Sequence, residues 1–280
     1  MTNRLATAYF LVAAMLLASC GGGGGGETAT IASQPPSGTG VALVGNTLSL
    51  FSPSAPGTFT SVVALSGLDA GYTLATIDYR PATGQLYGIA INGVNGKLYS
   101  INAASGLATA VSGTDFSTTL TGTLLGSDFN PLVDRIRLVT ETGVNMRVNP
   151  ITGAIAGTDT PLTLGPSVHA IAYKDNVVGA SLTTLYGIDS TAATLVLIGG
   201  VNSTPSPNGG VVSTVGALGV TPGPGTDIGF DIAPSDVAYA AITVGAVPNL
   251  YKINLATGSA ALVGPFAPGT LAVRDLAIVP

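Results

Sequence analysis

The feature that most constrains this chain is self-similarity. Five short segments share an alternation of apolar and variable residues ending on a polar one: Leu48–Ser52, Leu98–Asn102, Asn145–Asn149, Leu185–Asp189 and Leu250–Asn254. Each runs into a turn, and three of the turns have one form: NAASG from Asn102, NPITG from Asn149 and NLATG from Asn254. An Asn in first place bonds its side chain to backbone two residues on. Pro or Ala suits the following αR position, and the closing Gly takes the positive φ that returns the chain into a strand.

The polar markers fall at 52, 102, 149, 189 and 254, with gaps of 50, 47, 40 and 65 residues. A period of that size belongs to a four-stranded propeller blade or to a helical repeat, and strand propensity with turn chemistry selects the blade. One unit reads TLATIDYRP, QLYGIAI, KLYSIN, LATAVS; the next reads GSDFNP, RIRLVTE, NMRVN, AIAGTD; the last full one reads IGFDIAP, VAYAAIT, LYKIN, AALVG. The fourth unit, from His169, is less regular and carries an insertion around Gly199 to Gly210 that accounts for the longest gap.

The chain ends carry the topological argument. The first unit starts at VALVG without an inner strand, while the chain closes on LAVRDLAIVP, which aligns with the inner strands IDYRP, SDFNP and FDIAP. A strand missing at one end and orphaned at the other is what a ring closed through a shared blade requires, and closure removes exposed sheet edges. The expected fold is therefore all-β: a β-propeller of five four-stranded blades, the C-terminal strand joining the N-terminal blade. Residues 41–280 divide into about 48 per blade.

Ahead of this domain, residues 1–19 have the layout of an export signal, with one cation, Arg4, and then an uncharged apolar run from Leu5 to Ala18. The LASC sequence at Leu17–Cys20 resembles the lipobox of bacterial lipoproteins, which implies a diacylglyceryl thioether on Cys20, cleavage after Ser19 and acylation of the new amino group. Cys20 is the only cysteine, so no internal disulfide is available and the exported domain must hold together by its core. Several acyl chains on one residue provide the multiple-chain anchoring that stable membrane attachment needs. Residues 20–40, opening with six glycines, read as the lipidated cysteine and a flexible tether. Glycine rather than aspartate at position 21 fits outer-membrane delivery if the source is Gram-negative.

Without the signal the side chains carry 8 Lys+Arg against 14 Asp+Glu, a scattered acidic surface with no footprint for a phosphate backbone, so nucleic acid is excluded as an expected partner. The expected partners are a membrane, through the lipid on Cys20, and an envelope protein or extracellular ligand. Nucleophile elbow, P-loop, dinucleotide fingerprint and zinc-protease motif are all absent from the sequence. There is no tryptophan, which counts against carbohydrate stacking, and Tyr87, Tyr99, Tyr186 and Tyr251 recur at core positions of the repeat.

The stretch GSDFNPLVDRIRLVTETGVNMRVNPITG, Gly126 to Gly153, resembles the exported and uncharacterised bacterial family called domain of unknown function 4394. Its members share D-F-N-P-x-x-D-R-I-R followed by G-x-N-x-R-x-N-P-x-T-G. The flanking IDYRPATGQLYGI, LYGID and VGALG stretches extend the likeness over the whole mature domain. The resemblance implies export and a propeller-like fold, and brings no catalytic residues.

Two groups of residues are candidates for chemistry. Aligned inner strands repeat an aspartate at Asp78, Asp128, Asp231 and Asp275, with Ala172 in the remaining unit, and two residues later come Arg80, Asn130, Ala233, Ala277 and Lys174. Near a propeller axis such carboxylates either bind a hard cation such as Ca2+ or accept backbone hydrogen bonds that pin blade to blade. The densest charged cluster is Asp134, Arg135, Arg137 and Arg147, which suits either an anion held by Arg135, Arg137 and Arg147 or a cross-strand ion network. His169, the only histidine, reads as structural. No cofactor is required by any motif. The leading expectation is a non-enzymatic, surface-tethered binding or scaffold propeller; the alternative is a lactonase-like hydrolase or a lyase using channel carboxylates and a divalent cation. A self-associating matrix protein, using Val201 to Gly210, is a third.

Overall fold

A computed structural model describes residues 34–116, 120–163 and 167–280. Cys20, the signal and most of the tether lie outside the described residues. Among the described residues, twenty strands form five four-stranded antiparallel sheets.

The first blade pairs β1 (Gly40–Val44), β2 (Thr47–Ser52) and β3 (Ala55–Ala64) with the final strand β20 (Val273–Ile278), in the order β20-β1-β2-β3. The second is β4 (Thr73–Arg80) to β7 (Ala108–Ala110), through β5 (Gln85–Asn92) and β6 (Asn95–Ile101). The third runs from β8 (Leu125–Asn130) through β9 (Arg135–Thr140) and β10 (Asn145–Val148) to β11 (Ile155–Thr158). The fourth is β12 (Val168–Tyr173), β13 (Leu185–Asp189), β14 (Thr194–Ile198) and β15 (Val212–Ala217). The fifth is β16 (Ile228–Ile232), β17 (Ala238–Val244), β18 (Val247–Ile253) and β19 (Ala260–Pro265). The inner strands β20, β4, β8, β12 and β16 contact one another in a closed cycle. This is the expected five-bladed propeller, with the C-terminal strand completing the first blade.

Burial follows position in the blade. The inner strand β12, VHAIAY, is buried at every residue, whereas the outer strand β3 alternates and keeps most of its residues in contact with solvent. The core divides into five clusters, one for each junction between neighbouring blades; Leu43, Leu50, Ile77 and Tyr79, for example, meet between the first and second. The recurring tyrosines serve this packing. Tyr99, Tyr186 and Tyr251 are buried, and Tyr87 sits edge-on to Phe129 of the next blade at 5.4 Å.

The repeated turns have the geometry their residues dictate. Asn102 Oδ1 accepts hydrogen bonds from the backbone N–H groups of Ala104 and Ser105, both at 3.0 Å, and Asn149 and Asn254 accept in the same way. Gly106 closes its turn at φ +73°, and a Cβ there would stand 2.2 Å from the carbonyl oxygen of Ala64 on the neighbouring blade. Glycine is thus required for both the turn and the approach of two blades.

The insertion lies between β14 and β15 as two short 3-10 turns, Val201–Ser203 and Pro207–Gly209. It folds back onto the third blade: Thr160 N–H donates to Asn208 O at 3.0 Å, Thr163 N–H to Gly210 O at 2.9 Å, and Asn145 Nδ2 to Pro207 O at 3.1 Å. It therefore bridges two blades.

Candidate functional site

The repeated aspartates lie within the inner strands β4, β8, β16 and β20. Asp78 Oδ2 accepts from Phe129 N–H at 2.7 Å, Asp128 Oδ1 from Tyr173 N–H at 3.0 Å and Asp231 Oδ2 from Ile278 N–H at 2.6 Å. Each carboxylate thus caps the next inner strand around the ring, satisfying an inward backbone donor that has no sheet partner.

Asp275 departs from the expected equivalence. The residue that follows the aspartate position and donates to the preceding blade is Phe129, Tyr173 or Ile278, so Ala277, not Asp275, occupies that rung of the C-terminal strand. Asp275 stands two residues earlier and accepts from Ile77 N–H at 2.9 Å and Leu276 N–H at 2.9 Å. The rung therefore holds three aspartates, Asp78, Asp128 and Asp231, whose nearest carboxylate oxygens lie within 4.8 Å of one another, and two alanines, Ala172 and Ala277.

All four aspartates are buried, at 4%, 1%, 2% and 6% exposure for Asp78, Asp128, Asp231 and Asp275. Burial pushes their carboxyls up, Asp231 to about 6, and the charge of Asp231 on Asp78, and of Asp78 and Asp231 on Asp128, adds to it. Asp231 Oδ1 is buried without a hydrogen-bond partner among the described residues. The cations two residues farther along the strands turn away: Arg80 pairs with Asp134 of the third blade, with Nε at 2.8 Å from Oδ1, and Lys174 pairs with Asp236 of the fifth at 2.8 Å. These ion pairs link adjacent blades.

The arginine cluster of the sequence does assemble, around a partner that the sequence analysis did not single out. Arg135, Arg137 and Arg147 lie on β9 and β10, one after another across the hairpin, and line a cleft of about 320 Å3 between the third and fourth blades. Leu132, Val133, Asn130, Tyr173 and the insertion residues Ser203, Ser206, Pro207 and Asn208 complete its wall. Asp134 is held by Arg80 instead of by these arginines, and the carboxylate that joins Arg137 and Arg147 is Asp159, just beyond β11. Asp159 ends the AIAGTD strand motif, so its place at an outer-strand end was visible; its reach to β9 was not.

Arg137 is 2% exposed. Its Nε donates to the Tyr173 hydroxyl at 2.8 Å, Nη1 to Asn145 Oδ1 and to Asp159 Oδ2 at 3.0 Å, and Nη2 to Asn208 Oδ1 at 2.6 Å. Arg147, on the open side, grips the same Asp159 with two hydrogen bonds of 2.9 and 2.8 Å. Arg135 is half-buried, donates Nη1 to the carbonyl of Asp134 at 2.7 Å, and has no carboxylate partner among the described residues. His169 lies elsewhere, with Nδ1 3.1 Å from Ser167 O, Nε2 unpartnered, and its pKa pushed down by burial.

Closed inner ring and basic inter-blade cleft together define a five-bladed β-propeller with a solvent-open polar site between two blades. The chain belongs to the family described as domain of unknown function 4394, whose model matches residues 47–277. Among solved structures it is similar to a structural genomics protein of unknown function from Bacteroides thetaiotaomicron, with 14% identity and a TM-score of 0.51 over 85% of this chain and 63% of that one. Weaker likenesses are to a nidogen/laminin complex, with 9% identity and a TM-score of 0.30 over 84% and 63% of the two chains, and to hydrazine synthase of Kuenenia stuttgartiensis, with 12% and 0.43 over 71% and 51%. The chain thus spans less than two thirds of each of these structures, and at such identities the first shows the fold alone. No curated protein matches the chain.

Proposed function

We propose that this protein is an exported lipoprotein, anchored to the outer membrane or cell surface through Cys20, whose propeller acts as a non-enzymatic binding module with its ligand site in the cleft between the third and fourth blades. The observation that carries the reading is how the polar groups are deployed. The repeated aspartates are buried against backbone N–H groups, while the open cleft is lined by three arginines, two serines and two asparagines, with no carboxylate or histidine in its wall among the described residues. A cleft of this kind offers donors that hold a ligand and lacks a general base to activate a nucleophile.

Anchoring is tested by labelling cells that express the full chain with a palmitate analogue. Label on the wild type that Cys20→Ser abolishes supports it, and an unlabelled wild type rejects it.

The unpartnered Asp231 Oδ1, within a group of three convergent carboxylates, favours a second reading: a Ca2+-dependent propeller hydrolase or lyase acting at the axis. Calcium titration of the full chain, following thermal stability in wild type and Asp128→Asn, separates the two. Stability that ignores calcium supports the binding module, and a calcium-dependent rise that the substitution removes favours the axial cation.

A further inference from the structure

Resting on the cleft as the ligand site, we propose that its ligand is an organic anion: a carboxylate or phosphate group held at Arg135 and attached to an apolar body lying on Leu132 and Val133. Charge balance is the first reason. Two guanidiniums, Arg137 and Arg147, share one carboxylate, Asp159, which leaves one positive charge beside the cleft; Arg135 adds a second, because the nearest aspartate in sequence, Asp134, is taken by Arg80. A protein of formal net charge −5 therefore gathers an excess of about two positive charges in a cavity whose wall contains no acid among the described residues.

The three arginines differ in what they can offer. Arg137 makes four hydrogen bonds inside the protein and is a fixed charge in the wall. Arg147 turns a fork onto Asp159. Arg135 gives a single bond to a backbone carbonyl, so the rest of its planar fork is available for a carboxylate or phosphate. The insertion adds neutral polar groups, with Ser203, Ser206 and Asn208 in the wall and Asn208 held in place by Arg137.

The apolar half of the ligand follows from Leu132 and Val133 in the same lining. Leu132 and Val133 are 45% and 52% exposed, yet they line the cleft next to the arginines. A bare inorganic ion leaves that surface wet, whereas an anion with a short aliphatic chain covers it. A volume near 320 Å3 lies at the small end of ligand pockets and admits a compact molecule of this kind.

The test is calorimetric titration of the full chain in detergent with hexanoate, hexyl phosphate, inorganic phosphate, hexanol and hexylamine. The expected result is binding of hexanoate or hexyl phosphate, weaker binding of inorganic phosphate and none of hexylamine. Arg135→Gln should weaken the anions roughly tenfold to a hundredfold with little change in the melting temperature of the unliganded protein, and Arg135→Lys should recover only part of the loss. Binding of hexanol or hexylamine without the anions, abolished by Leu132→Asp, overturns the anion and leaves the cleft as a ligand site of another class. Binding that Arg135→Gln does not change also overturns the proposal. Equal affinity for inorganic and hexyl phosphate overturns its apolar half, and no response to any of the five rejects both the proposal and the cleft as a small-ligand site.

Discussion

Asp78, Asp128 and Asp231 show how one side chain serves folding and charge at once. Each supplies an acceptor to a backbone N–H on the next inner strand, and each is too deeply buried to hold a negative charge easily. The sign of the pH dependence follows. A carboxyl whose folded pKa is raised contributes stability that is fully present below its unfolded value, 3.8, and is lost as pH rises through the folded value, about 6 for Asp231. Melting temperature should therefore rise as pH falls from about 7 to about 5, and Asp231→Asn should flatten that rise. His169 works in the opposite sense: its folded pKa is pushed down, so the unfolded chain takes up a proton that the native state refuses as pH falls through about 6.5. His169→Gln should steepen the acid-side gain. A melting temperature that falls steadily over this range in both variants rejects the assignment of the buried carboxyls as proton-retaining.

At the scale of elements, turns and the insertion set how blades meet. Gly106 and Gly93 both have positive φ, +73° and +60°, but only Gly106 has a neighbouring blade against it. Replacing Gly93 with Ala should cost about 1 kcal/mol, the penalty of a left-handed L-residue, while Gly106→Ala should cost about 1–3 kcal/mol more because the new methyl meets the Ala64 carbonyl. Equal shifts in urea denaturation midpoint would show that the second blade approaches the first less closely than the structure has it. For the insertion, Arg137→Met removes the group to which Tyr173, Asn145, Asp159 and Asn208 all bond. Breaking a buried pair of this sort costs about 3–5 kcal/mol, moderated here because Arg147 keeps its hold on Asp159. The checking measurement is denaturation together with protease cleavage of the 201–209 segment, which should quicken more in Arg137→Met than in Arg147→Met. The two-to-one pairing of guanidiniums with Asp159 was beyond the sequence because Asp159, Asn208 and Tyr173 come from separate elements. A charge-dense hairpin was legible; which acid it would meet was not.

The whole molecule is held by ring closure. Gly38 N–H donates to Val279 O at 2.8 Å and β20 pairs with β1, so the two ends of the domain meet in one blade. A chain truncated after Gly269 loses an inner strand, and with it the partners of both β1 and the neighbouring β4 and β16. It should fail to give a cooperative thermal transition. A circular permutant that joins residue 280 to residue 38 through a short linker and opens at Gly93–Val94 keeps every strand and should melt cooperatively. Failure of the permutant alongside success of the truncation would reject closure as the organising contact. By itself the sequence determined the period, the four-strand unit, the Asn-to-Gly turns and the shared blade, because each rests on local chemistry repeated along the chain. The tertiary structure sets Ala277 and not Asp275 level with Asp128, a register that the closing prolines Pro81, Pro131, Pro234 and Pro280 already carried in the sequence; aligning on the aspartate slips the last strand by two residues, which keeps the same face because strand side chains alternate with period two. Only the tertiary structure decided that Arg80 takes Asp134 and leaves Arg135 to the cleft, because that choice depends on the separation of two blades, a distance set by the packing of their cores and not by any residue's neighbours in the chain.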